Sequence, residues 1–277
     1  MKSIVGIIAF LVVSILALFV ADHFYYKNFE DQVEFARQNS GMFDDMPITD
    51  LDLKKVPPPV AKYLRYCGLV GKPRINFAYI THGGEFKPAP DKKFMPIEGE
   101  YYLTTKQPTF NWFARLKMFP GITTSAFDSY QHGEGKMFVK FMSIVNIAES
   151  AGEKTNISAL GRCFAEMTMV PSFFLNEDGI EWISFDSTSA SCIFSDKDLS
   201  TKARMFFNKD GSLDKIQVSR FYDNPDGRQT LEQFTGKCSV YKNINGLRLA
   251  TIYDGYWNLR SGDFHYVHFD LKDIKFN

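Results

Sequence analysis

KARMFFNKDGSLDKIQVSRF, residues 202–221, is the stretch that decides the fold. Apolar residues recur at every second position on either side of Asn208-Lys209-Asp210-Gly211. A period of two is the signature of strands, whose successive side chains point to opposite faces. The four residues between them accept positive φ, so the stretch predicts a hairpin.

The pattern continues in both directions. Strands are predicted at Ile75–Phe86, Ile97–Thr105, Thr109–Met118, Thr123–Tyr130, Lys136–Ile144, Glu181–Ser187 and Ser189–Phe194. Five more follow at Lys202–Phe207, Leu213–Phe221, Thr230–Tyr241, Leu247–Leu259 and Phe264–Ile274. Turn residues punctuate them at Asn224-Pro225-Asp226-Gly227, Lys242-Asn243-Ile244-Asn245-Gly246 and Arg260-Ser261-Gly262-Asp263. No strand–helix–strand alternation is present, so the expected architecture is mainly β. It is a large curved antiparallel sheet or partly open barrel of about 11–12 strands with one or two covering helices.

Two helices interrupt this β pattern. Pro57-Pro58-Pro59 starts a short one, Val60–Tyr66, which Gly68 ends. Leu160, Cys163, Phe164 and Met167 sit at helical spacing within Ile157–Leu175, capped by Asn156 or Thr155 and broken by Pro171. This second helix reads either as ordinary packing on the sheet or as a lid, its methionines adapting to an apolar ligand.

Ile4–Ala21 carries no charge, which predicts a membrane-spanning helix preceding the β domain. A cleaved signal is the competing reading, but the small-x-small cleavage pattern is poor, with Phe19 three positions before Asp22. Lys2 ahead of the span points to an inside amino terminus and an extracytoplasmic domain. Beyond it, Phe29, Val33 and Ala36 form one stripe of a helix over Phe24–Gln38, and 41–55 reads as a polar linker. The expected organisation is an anchor over 1–22, a juxtamembrane helix and linker over 23–55, and one β domain over 56–277.

Of the 277 residues 27 are Phe and 13 Tyr, an aromatic excess that suits half-buried pleated surfaces. Lys plus Arg equal Asp plus Glu at 32 each, so nothing in the charge points to nucleic acid. Cys67, Cys163, Cys192 and Cys238 are scattered, which excludes a ribbon or thioredoxin spacing. They could pair in three ways, and four buried thiols is the preferred reading. His265 and His268, three apart on one strand, are expected on opposite faces, so no metal site is expected. No phosphate loop or hydrolase elbow occurs, and no cofactor is implied.

What remains is charge beside aromatics: Trp112 and Arg115 on one strand, Asp128 and Tyr130 on the next, Arg162 and Glu166 one helical turn apart, and Trp182 with Asp186. Buried charges need partners whatever the function, so a register-fixing network is the plain reading and a ligand headgroup site the sharper one. No catalytic residue is assigned. An enzyme would draw its acid–base groups from Asp128, Glu166, Asp186 and Arg115.

At these residues the chain resembles an uncharacterised family of bacterial membrane-associated proteins, a domain of unknown function. The likeness runs from about Val56 to Phe276 through Trp112-x-x-Arg115, Asp128-x-Tyr130-x-x-Gly133-x-Gly135-x-Met137 and Leu160-x-Arg162-x-x-Ala165-Glu166 before Pro171. It continues in Trp182-x-x-Phe185-Asp186 and Tyr241-x-x-x-x-Gly246-x-Arg248, with Met169 and Phe185 as departures. The resemblance implies no activity. A looser analogy is to the half-barrel carriers of bacterial lipoproteins and lipids, where a curved sheet holds acyl chains. The expected function is therefore a protein held in the bilayer through residues 4–21 that binds a hydrophobic or acylated ligand. Trp112, Arg115, Asp128, Tyr130, Arg162, Glu166 and Trp182 would be its binding residues. An envelope enzyme and an envelope scaffold are the alternatives.

Overall fold

The computed structural model describes residues 2–119, 121–224 and 226–276; Pro225 of the expected 224–227 turn lies outside them. A helix α1, Lys2–Asn39, is followed by α2, Asp50–Leu53, and α3, Pro58–Tyr66. Strands β1 (Phe77–Phe86), β2 (Met95–Thr104), β3 (Thr109–Phe119), β4 (Ile122–Gln131), β5 (Glu134–Phe141) and β6 (Val145–Ser150) come next. Helix α4, Glu153–Glu166, runs into two 3-10 turns, Met167–Met169 and Pro171–Leu175. Seven strands close the chain: β7 (Ile180–Phe185), β8 (Ser189–Asp196), β9 (Leu199–Phe207), β10 (Leu213–Asp223), β11 (Gln229–Ile244), β12 (Leu247–Leu259) and β13 (Gly262–Phe276).

Among the described residues these strands form one 13-stranded antiparallel sheet in the order β6-β5-β4-β3-β2-β1-β13-β12-β11-β10-β9-β8-β7. Each strand lies beside its sequence neighbour except where β13 returns to β1 and joins the two meanders. Strand twist accumulated over so many strands rolls the sheet into a half-barrel with an inner and an outer face. β6 exceeds the expected strands: residues 145–150 break the alternation, yet Phe141 pairs with Val145 across a turn at Met142 and Ser143.

Three further departures concern helices and spacers. The helix expected from Ile157 starts earlier, at Glu153, and Asn156 does not cap it; its Oδ1 accepts from the Gly135 backbone N–H at 2.9 Å. Its apolar tail leaves α-helical geometry at Met167, ahead of Pro171. The stretch read as a linker carries α2, capped by a reciprocal Thr49–Asp52 box, and buries Ile48 and Leu53 in the main core.

α4 crosses the concave side and ties the two arms of the sheet together. A Cβ on Gly135 of β5 would lie 2.5 Å from the Ala159 Cβ, and one on Gly161 would lie 3.0 Å from the Ser219 carbonyl oxygen of β10. Both glycines therefore permit close approach, one at each arm. Leu160, Cys163 and Phe164 point inward from α4, and with Phe173, Phe174 and Tyr63 of α3 they fill one end of the concave face.

The convex face carries a second, smaller core. Tyr25, Phe29 and Val33 of α1 pack on Phe113 and Phe127, with Phe29 fully buried and its ring 5.3 to 5.8 Å from those of Phe113, Phe127 and Tyr102. The stripe expected at Phe29, Val33 and Ala36 is the buried one. β3 is consequently buried on both sides along most of its length. Ahead of this contact, α1 is long and apolar enough to cross a membrane, and among the described residues none of its apolar window is buried against the rest of the protein. The four cysteines are free and buried.

A charged end in an apolar cavity

The part of the concave face that α4 and the 3-10 turns leave unfilled is a cavity of about 450 Å³. That lies within the range of small-molecule pockets, about 300–1,000 Å³. Its floor is buried, formed by Thr168, Met169, Ile216 and Cys238, and its walls carry the aromatic rings of Phe234, Trp257, Phe264, Tyr266 and Phe269. It reaches solvent where Lys136, Lys154 and Asp223 stand exposed.

Four half-buried charges lie in this wall. Arg162 of α4 binds Asp128 of β4 directly, and its Nε donates to Glu166 Oε1 at 3.1 Å. Tyr101 OH donates to the same Glu166 oxygen at 3.0 Å and accepts from Arg162 Nη2 at 3.2 Å. The guanidinium also stacks above Trp112 at 4.7 Å and Phe110 at 4.9 Å. Burial works against the Arg162 charge, but Tyr101, Asp128 and Glu166 outweigh it and hold the group protonated. Burial pushes the Asp128 carboxyl up against the pull of Arg162 and Arg220, and its Oδ1 has no hydrogen-bond partner.

Arg220 of β10 is the fourth charge and the one sequence reasoning missed. Its Nε donates to the Ser158 carbonyl oxygen at 3.2 Å, and its guanidinium lies 4.8 Å over Phe234 and 5.1 Å over Trp257. No described carboxylate comes within ion-pair distance of it. Burial, and then the neighbouring Arg162, pull its pKa down to about 10, which leaves it cationic at neutral pH. The available signal was parity: Ile216 and Val218 face inward, and Arg220 is the next residue of that series.

His82 of β1 is a second residue that sequence reasoning missed, and unlike Arg220 it had no cue. Trp112 Nε1 donates to His82 Nε2 at 2.8 Å, so the ring's proton belongs on Nδ1, 3.2 Å from the Gly83 carbonyl oxygen. Burial holds the imidazole neutral, with a pKa near 3. The ring thereby fixes the indole that lies beneath Arg162.

Trp112, Asp128, Arg162 and Glu166 thus converge as one site. The other expected residues do not join them. Arg115 projects to the convex side, because it is odd in register to Trp112, and pairs with Asp22 of α1 at 3.1 Å rather than with Asp128. Tyr130 does face inward beside Asp128 but turns its hydroxyl to Asp196, 2.7 Å away, outside the cavity wall. Trp182 packs half-buried on the far arm. A bulge between Trp182 and Ser184 breaks its parity with Asp186, an exposed turn residue held near pKa 2 by hydrogen bonds from Thr188 and Ser189. The acid–base set of Asp128, Glu166, Asp186 and Arg115 is therefore split over separate regions.

His265 and His268 are also placed differently from expectation. The β12–β13 register slips between Gly255 and Tyr256, which puts both rings on one face. His265 Nε2 and His268 Nδ1 lie 3.0 and 2.8 Å from the same Asp254 oxygen. Among the described residues no His, Cys, Asp and Glu group has the arrangement of a metal site.

Comparison with known proteins adds a family. A family model described as a family of unknown function, DUF6544, matches residues 47–269. No curated protein matches the chain. A LolA-superfamily protein from Nitrosomonas europaea is similar at 12% identity with a TM-score of 0.42, over 79% of this chain and 92% of that one.

Proposed function

Because the chain belongs to DUF6544, a family without an assigned role, its function has to be argued from its geometry, and we propose that it binds an acylated or otherwise hydrophobic ligand bearing an anionic group. The apolar portion would occupy the cavity, and the anionic group would meet Arg220. The observation that carries this reading is a half-buried guanidinium at the wall of an unfilled cavity, stacked on two aromatic rings and in ion-pair contact with no described carboxylate, Glu232 opposite it on β11 included. A desolvated cation without a direct ion pair is costly, and a ligand carboxylate or phosphate would supply that partner. Arg162 plays a different part. It is already saturated by Asp128 and Glu166, and it anchors α4 across the opening.

In this proposal α1 holds the protein in a membrane through residues 4–21, with the β domain on the extracytoplasmic side. The support is a run of exposed apolar side chains from Ile4 to Val20, which water would not favour. The test is native mass spectrometry and lipid extraction after gentle purification of the full chain. The expected result is one bound anionic lipid or fatty acid per chain, exchangeable with added palmitate. Absence of any bound species, together with failure to take up palmitate, would end the proposal.

A further inference from the structure

The contacts of α1 give the direction of the sheet relative to the apolar run. Gln131 donates to the Gln32 carbonyl oxygen, Phe113 and Phe127 pack on Phe29, and Arg115 reaches Asp22. β3 therefore runs antiparallel to α1, towards the residues that precede Asp22. Ser143, in the β5–β6 turn, also donates to Asp22, at 2.7 Å. The β3–β4 hairpin runs past the residue where the uncharged run stops, and the β5–β6 turn ends at it.

The tips of those hairpins are apolar and uncovered. Phe119 is 69% exposed, Ile144 52% and Val145 54%, with Met118 and Ile122 beside Phe119. Among the described residues nothing packs over them. Phe119 lies four residues beyond Arg115, up to about 13 Å further along the strand at about 3.3 Å per residue. The headgroup layer is about 5–8 Å thick on each side of the hydrocarbon. Behind the tips stand groups suited to a headgroup zone. Lys140 lies 4.7 Å over the Tyr25 ring, Arg115 lies 5.4 Å over Tyr26, and Lys117 pairs with Glu98 at 2.8 Å.

We propose that the β3–β4 and β5–β6 hairpin tips insert into the same bilayer leaflet that α1 leaves, so that the domain rests on the membrane at three points. The proposal rests on the reading of α1 as a membrane span, and the occupant is the phospholipid bilayer. Contiguity selects it: both tips reach the helix at its exit, with Arg115 and Ser143 bonded to Asp22, and Arg115 and Lys140 lie over Tyr26 and Tyr25 just behind them.

The experiment uses the full chain in vesicles of dioleoyl phosphatidylcholine and phosphatidylglycerol. An environment-sensitive thiol probe is attached singly through Phe119→Cys, Ile144→Cys, Phe19→Cys or Lys209→Cys. The native cysteines are all buried, so the new thiol is the one labelled. Lipid carrying a doxyl quencher near the headgroup end of its acyl chain is then included. Loss of emission at positions 119, 144 and 19, with none at 209, is the expected result. Quenching at 19 but not at 119 and 144 would overturn the insertion of the tips and leave the anchor standing. No quenching at 19 would remove the anchor and the tip proposal with it.

Discussion

Replacing Arg220 by methionine isolates the charge that the cavity wall leaves without a carboxylate. The guanidinium makes one hydrogen bond, to the Ser158 carbonyl oxygen, and otherwise lies over Phe234 and Trp257. Methionine keeps the apolar packing and removes the charge. Hydrogen bonds to charged groups contribute about 1.5–3 kcal/mol. At about 1.4 kcal/mol per tenfold, Arg220→Met should weaken palmitate binding by roughly 10- to 150-fold. The uncharged alcohol of the same chain length should bind the variant about as well as it binds the native protein. Stability of the empty protein should change by no more than about 1 kcal/mol. The lost bond to Ser158 is offset by removal of a desolvated cation that lacks a direct counter-ion. Arg115→Met serves as the control, because Arg115 faces α1 on the other side of the sheet. The assay is displacement of a fluorescent fatty acid by palmitate or hexadecanol, run on both variants. An unchanged palmitate affinity in Arg220→Met, or an equal loss for acid and alcohol, would refute the assignment of Arg220 to the anionic group.

Three further outcomes follow from the packing. His82 titrates near pH 6.5 when unfolded and near 3 in the fold, so the stability its neutral ring contributes is complete above about pH 6.5 and is lost as the pH falls towards 3. Urea midpoints should show the native protein losing about 1.4 kcal/mol more per pH unit than His82→Gln in that window; parallel curves would contradict it. Gly135→Ala should cost about 1–3 kcal/mol through the clash with Ala159 and the Thr155 carbonyl oxygen, read as a lowered thermal midpoint. Phe29→Ala should cost about 3–5 kcal/mol of the contact between α1 and the sheet. Amide exchange should then rise over residues 24–38 while β12 and β13 stay protected, and unchanged protection of 24–38 would show that the helix docks without this ring.

Period-two alternation made most of the sheet legible, since one buried face imposes it on every strand. It failed where geometry departs from a regular strand. The slip near Tyr256 put His265 and His268 on the same side, against the count of residues between them. The charged site was half legible for the same reason. Asp128, Arg162 and Glu166 are close in the pattern of strand and helix, whereas the choice between Asp128 and Asp22 as partner of Arg115 depends on which face α1 covers. No local pattern records that. Arg220 was open to discovery by continuing the inward series from Ile216 and Val218. It went unremarked because the carboxylates of its own strand, Asp214 and Asp223, are not adjacent to it, and Glu232 comes opposite it only through the β10–β11 register.

α1 passes without a break from its apolar run into the groove behind β3. The connection has no hinge, and with the helix in a bilayer the domain cannot swing away as a freely tethered one would. Cargo bound in the cavity would have to be taken up and handed on within a helix length of the lipid surface. That suits a stationary relay between the membrane and a visiting acceptor, and it is a poor design for a ferry.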